Sequence, residues 1–280
     1  MINNIEGFKF VSFTDHDSVK AYFDMNIDFL KRDDIKIIPG VEFSFSYNGV
    51  SKDILAYGID IYETQKFLDN IYNKEFRIKK QKDILNKFKQ KARQYGVIFD
   101  ENLKITTGSK SEAYGLMLKS IRETPSNLKN FPEFIKGFYR TNFSNPNSSW
   151  YIDETIGLPT LEQIIQKIHD FGGKAFLAHP YDYTSSRDEL DQMILDAIEF
   201  GIDGIEVDHF SNKENDRETL QKIVDEHHLF QSGGSDFHGD SVKKGIKLFV
   251  GMDNVNVKYA DITKWIDSVD TLYKTFKNNI

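Results

Sequence analysis

Apolar positions near the start of the chain fall in short runs bounded by turn residues. Phe8–Phe13 is such a run and stops at Thr14-Asp15-His16-Asp17. A helix is expected over Val19–Lys31. A second strand spans Ile35–Ile38 and continues through Pro39-Gly40 to Val41-Glu42-Phe43, and a third covers Asp53–Ile59. Short β-branched or aromatic runs of this kind read as buried strands.

The pattern changes near Tyr62. From there to about Trp150 the sequence is polar and long-helical, with loops expected at Thr124–Asn130 and Thr141–Ser149. Beyond Leu158-Pro159-Thr160 the alternation returns. Helices are expected at Leu161–Phe171, Asp188–Phe200, Asn215–His227 and Ile262–Phe276. Strands are expected at Lys174–Ala178, Gly204–Val207, Leu229–Gln231 and Lys247–Val250. Strand–helix alternation on both sides of an insertion predicts an α/β fold with parallel strands. The expected parts are 1–61 and 155–280 for the α/β body and 62–154 for the helical insertion.

Composition narrows the chemistry. The 280 residues include no cysteine, which excludes a disulfide scaffold, a thiolate zinc site, an iron–sulfur cluster and a cysteine nucleophile. The longest apolar stretches, such as Ala175–Ala178, are far short of a membrane span. The first residues lack a basic region followed by an apolar one, so the expectation is a cytoplasmic protein without membrane contact. A net charge of −7 argues against nucleic-acid binding over the whole surface. No G-x-S-x-G, G-x-x-x-x-G-K-[ST], G-x-G-x-x-G or H-E-x-x-H motif occurs.

The polar residues follow a rule. Strand after strand ends, at its C-terminal side, in a potential metal ligand: Asp15 and His16, then Glu42, His179, Asp208 and His209, and finally Asp236 and His238 after the pair Gly233-Gly234. In a β/α barrel the C-terminal strand ends converge on one face. Residues 200 positions apart can therefore share one pocket. Neutral imidazole and carboxylate donors without thiolate suit zinc, manganese or iron. Two such ions about 4 Å apart can activate water and clamp both oxygens of a phosphoryl transfer. Asp15, Asp17 and Ser18 would equally serve as helix caps, and His179 before Pro180 would equally serve as a structural strand end. His169 and His227 read as helix-surface residues.

These residues together resemble the PHP family, the polymerase and histidinol phosphatase domains. The resemblance rests on Thr14-Asp15-His16-Asp17-Ser18, Pro39-Gly40-Val41-Glu42, Ala178-His179-Pro180 and Gly234-Ser235-Asp236-Phe237-His238-Gly239. It covers about Phe8–Ile61 and Leu158–Gly251. It implies a distorted (β/α)7 barrel, up to three divalent metals and phosphoester hydrolysis. Asp53–Asp60 and the helical insertion look most like the subgroup of nucleoside bisphosphate phosphatases and short-RNA exonucleases. Family members begin with a strand carrying His-x-His. Here that strand and its ligands are absent, so a truncated chain with fewer metals and weak turnover is expected. The family commonly has His where Asp53 stands. The metal ligands implied by the match are His16, Glu42, Asp53, His179, Asp236 and His238.

The insertion adds a charge feature. Lys74–Arg93 holds nine basic and two acidic residues, a local +7, so the remainder carries −14. Arg77, Gln81, Ile84, Phe88, Ala92 and Tyr95 share one helix face, with Arg77 on the inward stripe. A guanidinium there suits bidentate phosphate binding, or snorkels at the edge of the stripe. The other lysines read as a solvated face or as a nucleic-acid surface. The reading assigns Asp15, His16 and Arg77 to catalysis and Arg77 and His209 to substrate. The substrate would be a phosphorylated nucleotide or short nucleic acid. A histidinol-phosphatase-like enzyme, or a PHP protein that binds metal or nucleotide without turnover, are the alternatives.

Overall fold

A computed structural model describes residues 8–25, 35–183, 185–239 and 244–269. The parts of the expected helices reaching Lys31 and Phe276 lie outside the described residues. The chain divides into two compact units. One comprises 1–45, 52–66 and 159–280, and the other 46–51 and 67–158. The division therefore falls at Lys66/Phe67 and Leu158/Pro159, rather than at 61/62 and 154/155, and the second unit includes the tip of a hairpin.

The first unit is built on six strands that follow one another across the sheet in chain order. They are β1 (Phe10–Phe13), β2 (Lys36–Tyr47), β3 (Val50–Tyr57), β4 (Lys174–Leu177), β5 (Gly204–His209) and β6 (Phe230–Gly234). β1 runs parallel to β2, and β4, β5 and β6 are parallel to one another, but β3 is antiparallel to β4. The sheet is thus a mixed half-barrel, which corrects the all-parallel expectation. The cause is the Asn48-Gly49 turn between β2 and β3. Both residues have positive φ, 49° and 76°, as a two-residue type I′ hairpin requires. Pro39 is tolerated inside β2 because its N–H side faces the point where β3 ends, and its carbonyl accepts from the Gly58 N–H at 2.7 Å, one residue past Tyr57.

Helices α1 (Lys20–Phe23), α2 (Ile61–Ile71), α6 (Leu161–Asp170), α7 (Arg187–Glu199), α8 (Glu214–Glu226) and α9 (Tyr259–Ile266) join these strands, α2 crossing into the second unit. α6 and α7 start with complete capping boxes, Thr160 with Gln163 and Ser186 with Glu189. Ile38, Leu55, Tyr57, Phe176 and Ala178 from the sheet pack with Trp265, Ile266 and Val269. The Trp265 indole N–H donates to the Gln231 carbonyl at 3.0 Å, so this buried ring has its polar atom satisfied. Lys247–Val250 is not a strand. It forms a turn closed by one bridge between Lys247 and Gly251, and Phe249 at φ 69° cannot extend.

The second unit is helical. It holds α3 (Lys74–Gln94), α4 (Glu112–Arg122) and α5 (Pro125–Asn130). α5 occupies a stretch expected to be a loop, because Pro125 sits at its first position, where no N–H is needed. Asn73 caps α3 by accepting from the Phe76 N–H. Phe88 lies at the centre of a core with Phe138, Phe143 and Trp150. Gln81 on the same stripe accepts from the Ala113 N–H. No helix among the described residues is long and apolar enough to cross a membrane.

Candidate metal centre

The C-terminal end of β1 is locked on β2 by backbone and by one buried tyrosine. The Tyr22 hydroxyl accepts from the Phe13 and Gly40 N–H groups and donates to the Phe13 carbonyl. Burial pushes that phenol up to about 12, so it stays a donor. Gly40 has no room for a side chain, since a Cβ would stand 2.3 Å from Ser12 Oγ. Beyond it, His16 bridges Glu42 in parallel, and the Asp17 N–H donates to the Glu42 carbonyl. Asp17 Oδ1 accepts from the Ser44 N–H. These contacts aim His16 and Glu42 into the same space.

Glu42 is buried between two histidines. Its Oε1 is 3.0 Å from His179 Nε2 and its Oε2 is 3.4 Å from His16 Nδ1. Asp53 Oδ1 lies 3.8 Å from the same His16 nitrogen. His16, Glu42 and Asp53 each offer one ligand atom within 4.8 Å of the others. Asp53 joins from near the start of β3. Because β3 runs antiparallel to β4, that position lies at the same end as the C-termini of the parallel strands.

A second group adjoins the first. His209 Nε2 is 3.4 Å from Asp236 Oδ2, and His238 Nδ1 is 3.1 Å from Asp236 Oδ1. The His16 and His238 rings are 5.6 Å apart, and those of His179 and His209 are 4.9 Å apart. His209 Nδ1 is engaged by Ser211, which turns Nε2 towards Asp236. This contact with Asp236 makes His209 a potential metal ligand as well as the expected substrate group.

The donor set fits divalent metal. His16 Nδ1, His179 Nδ1 and His209 Nε2 are buried and make no hydrogen bond, although carboxylates stand close to two of them. A buried imidazole nitrogen without a partner is costly, and coordination satisfies it. The carboxylate and the imidazole also stabilise each other's charge. Burial alone would raise the Glu42 carboxyl, but His179 and His16 outweigh it and lower its pKa. Burial would lower His179, but its bond to Glu42 and the charges of Glu206 and Asp53 raise it to about 10.

Other expected residues lie elsewhere. The Asp15 side chain is exposed, and only its carbonyl serves here, accepting from the Glu42 N–H. Asp208 points to Arg217 Nε at 3.4 Å and to Gln231. His169 pairs with Asp203 at 2.8 Å, and His227 is exposed. In the helical unit Gln81, Ile84, Phe88 and Ala92 are buried, but Arg77 is exposed, which corrects its inward placement. Arg77 stands in the first turn, ahead of the buried part of the stripe. The +7 stretch is also less free than its charge suggests. Lys89 caps the Glu101 and Leu103 carbonyls, Lys91 reaches the Ser149 carbonyl, and Arg93 pairs with Glu101.

Sequence reading missed Glu206, Lys52 and Tyr183. Glu206 is buried, which raises its carboxyl pKa, and it accepts the His179 N–H at 2.9 Å. Its signal was a lone Glu in the apolar run Gly204-Ile205-Glu206-Val207.

The chain resembles known proteins in sequence and in architecture. Over 79 residues the chain is 42% identical to the 5'-3' exoribonuclease Rnm of Escherichia coli K12, covering 28% of this chain and 27% of that protein. It is 38% identical over 79 residues to a 3',5'-nucleoside bisphosphate phosphatase of Chromobacterium violaceum, 28% of each chain. At 23% identity it aligns over 236 residues with a Haemophilus influenzae 5'-3' exoribonuclease, covering 83% of this chain and 80% of that one. In these two matches of about 40% identity the chain thus spans little more than a quarter of each relative's length. No family model matches the chain. A crystal structure from Bifidobacterium adolescentis, described as a metal-dependent phosphoesterase, superposes on 96% of this chain and 88% of its own with a TM-score of 0.59 at 21% identity. The fold is a PHP-type half-barrel. The PHP half-barrel accounts for the shared end at which His16, Glu42, Asp53 and His179 meet.

Proposed function

We propose that the chain is a metal-dependent phosphoester hydrolase acting on nucleotides or short oligonucleotides, and that it works in the cytoplasm where such fragments arise. The observation that carries this reading is the meeting of the His16, His179 and His209 imidazoles with the carboxylates of Glu42, Asp53 and Asp236. Support for the substrate class comes from the exoribonuclease and nucleoside bisphosphate phosphatase named among the relatives.

In this reading His16, Glu42, Asp53, His179, Asp236 and His238 hold the ions, and His209 serves metal or substrate phosphate. Manganese, zinc and iron suit this imidazole–carboxylate set. When bound, such ions supply charge that activates water and neutralises phosphate oxygens. The protein holds the donors in place before substrate arrives, so little reorganisation is needed during reaction. Arg77, exposed on α3, is assigned to a phosphate of the nucleic acid.

The test is hydrolysis of a nucleoside 3',5'-bisphosphate and of a 5'-phosphorylated short RNA, with histidinol phosphate as comparison. Release of phosphate or mononucleotide should require Mn2+ or Zn2+ and stop with EDTA. Glu42→Gln should lower kcat/KM by at least about 100-fold, since it removes a ligand charge shared by two histidines. Hydrolysis that persists in EDTA, or a preference for histidinol phosphate, would overturn the proposal.

A further inference from the structure

Asp53 is held from both sides. Ser44 Oγ donates to its Oδ1 at 3.2 Å. On the other side the Tyr183 hydroxyl accepts the Asp53 backbone N–H at 2.8 Å and stands 3.5 Å from Oδ2, towards which it can donate. One hydroxyl thus touches both the backbone and the side chain of the same residue. The Tyr183 ring also meets the His179 imidazole, with centroids 5.5 Å apart at an angle of 49°. One tyrosine therefore spans two of the groups that face Glu42.

Tyr183 lies in the loop between β4 and α7 and has a support of its own. The Lys52 ammonium stands 4.0 Å from the centre of its ring. Lys52 is 1% exposed, and its Nζ donates to Ser185 Oγ at 2.9 Å. A desolvated ammonium over an aromatic face makes a strong cation–π contact. Lys52 precedes Asp53 in β3, and alternation along a strand sends the two side chains to opposite faces. Tyr183 therefore ties the outer face of β3 to the inner one.

We propose that Tyr183 is a positioning residue for the metal centre, fixing the Asp53 carboxylate through its hydroxyl and the His179 ring through its own ring, with Lys52 clamping it in place. The proposal rests on the reading that Asp53 is a ligand. Carboxylate ligands need an outer partner to hold their orientation, and loss of one costs about 10- to 100-fold in metal affinity. Tyr183→Phe removes the hydroxyl and keeps the ring, and Lys52→Met keeps the aliphatic stem and removes the charge.

The experiment is calorimetric titration of Mn2+ into the wild-type chain and these two variants, each shown folded by circular dichroism. Tyr183→Phe is expected to weaken Mn2+ binding about tenfold. Lys52→Met should weaken it in the same direction by a smaller factor. Mn2+ affinity within twofold of wild type in Tyr183→Phe would overturn this inference alone. A wild-type chain that binds no Mn2+ would overturn the metal-centre reading and this inference with it.

Discussion

Glu206 and the backbone of His179 are joined by a hydrogen bond of 2.9 Å inside the half-barrel. His179 has φ of +26°, outside the range that side chains with a Cβ prefer. The strand has ended there, so no ladder acceptor is available, and a buried carboxylate takes the N–H instead. Glu206 therefore holds the turn that aims the His179 ring at Glu42.

Replacing that carboxylate should separate shape from hydrogen bonding. Glu206→Gln keeps an acceptor and should fold with near wild-type stability. Glu206→Leu leaves the His179 N–H buried without a partner and should cost about 1–3 kcal/mol. Urea unfolding in EDTA measures this without any contribution from metal. Equal midpoints for the Leu and Gln variants would remove Glu206 from this role.

Arg77→Ala tests the basic helix. If the exposed guanidinium holds a phosphate, its loss should lower kcat/KM on short RNA about tenfold, since a hydrogen bond to a charged group contributes about 1.5–3 kcal/mol. The dependence of log affinity on log salt should also flatten by about 0.7 for single-stranded RNA. An unchanged salt slope and unchanged kcat/KM would make Arg77 an ordinary solvated residue.

Glu112 gives a prediction in pH. Burial would raise its carboxyl, but the N–H and hydroxyl groups of Thr106 and Thr107 outweigh it and hold the pKa at about 2, against an ordinary 4.5. The Gly108 N–H adds a further donor at 2.7 Å. A depressed pKa means that the ionised form stabilises the fold. The contribution is complete above pH 4.5 and is lost as pH falls towards 2. Glu112→Gln should cost about 1 kcal/mol at neutral pH, allowing for solvent screening. The gap between variant and wild type should close between pH 4.5 and 2 in thermal melts. A gap independent of pH would refute the assignment.

Tyr22→Phe should be more costly than loss of one hydrogen bond. Its hydroxyl serves the Phe13 and Gly40 N–H groups and the Phe13 carbonyl, all at the junction of β1 and β2. Two donors would be left without a partner, so about 2–4 kcal/mol of stability should go. His16 sits just beyond this junction, so Mn2+ affinity should fall as well. Chemical denaturation and calorimetry measure the two effects, and a loss below about 0.5 kcal/mol would contradict the account.

The strand ends were readable because their signals are local. Phe8–Phe13, Lys174–Ala178 and Gly204–Val207 are apolar runs that stop at polar residues, and a barrel brings such ends together whatever their separation in the chain. His16, Glu42, His179, Asp236 and His238 followed from that rule. Asp53 needed the family resemblance, because it lies near the beginning of a strand. It shares the site because the hairpin at Asn48-Gly49 reverses β3.

Position along the chain thus determined the strand ends, the ligand types and the existence of a helical insertion, since periodicity and residue chemistry act over a few neighbours. Tertiary structure decided what depends on which side chains meet. It turned Asp208 towards Arg217 and left Asp15 and Arg77 exposed. It buried Glu206 beneath His179 and set Tyr183 between Asp53 and His179, with Lys52 on its ring. Glu206 and His179 are 27 residues apart, and Lys52 and Ser185 are 133 apart. Contacts at such separations are specified by packing of the whole unit, which no local pattern encodes.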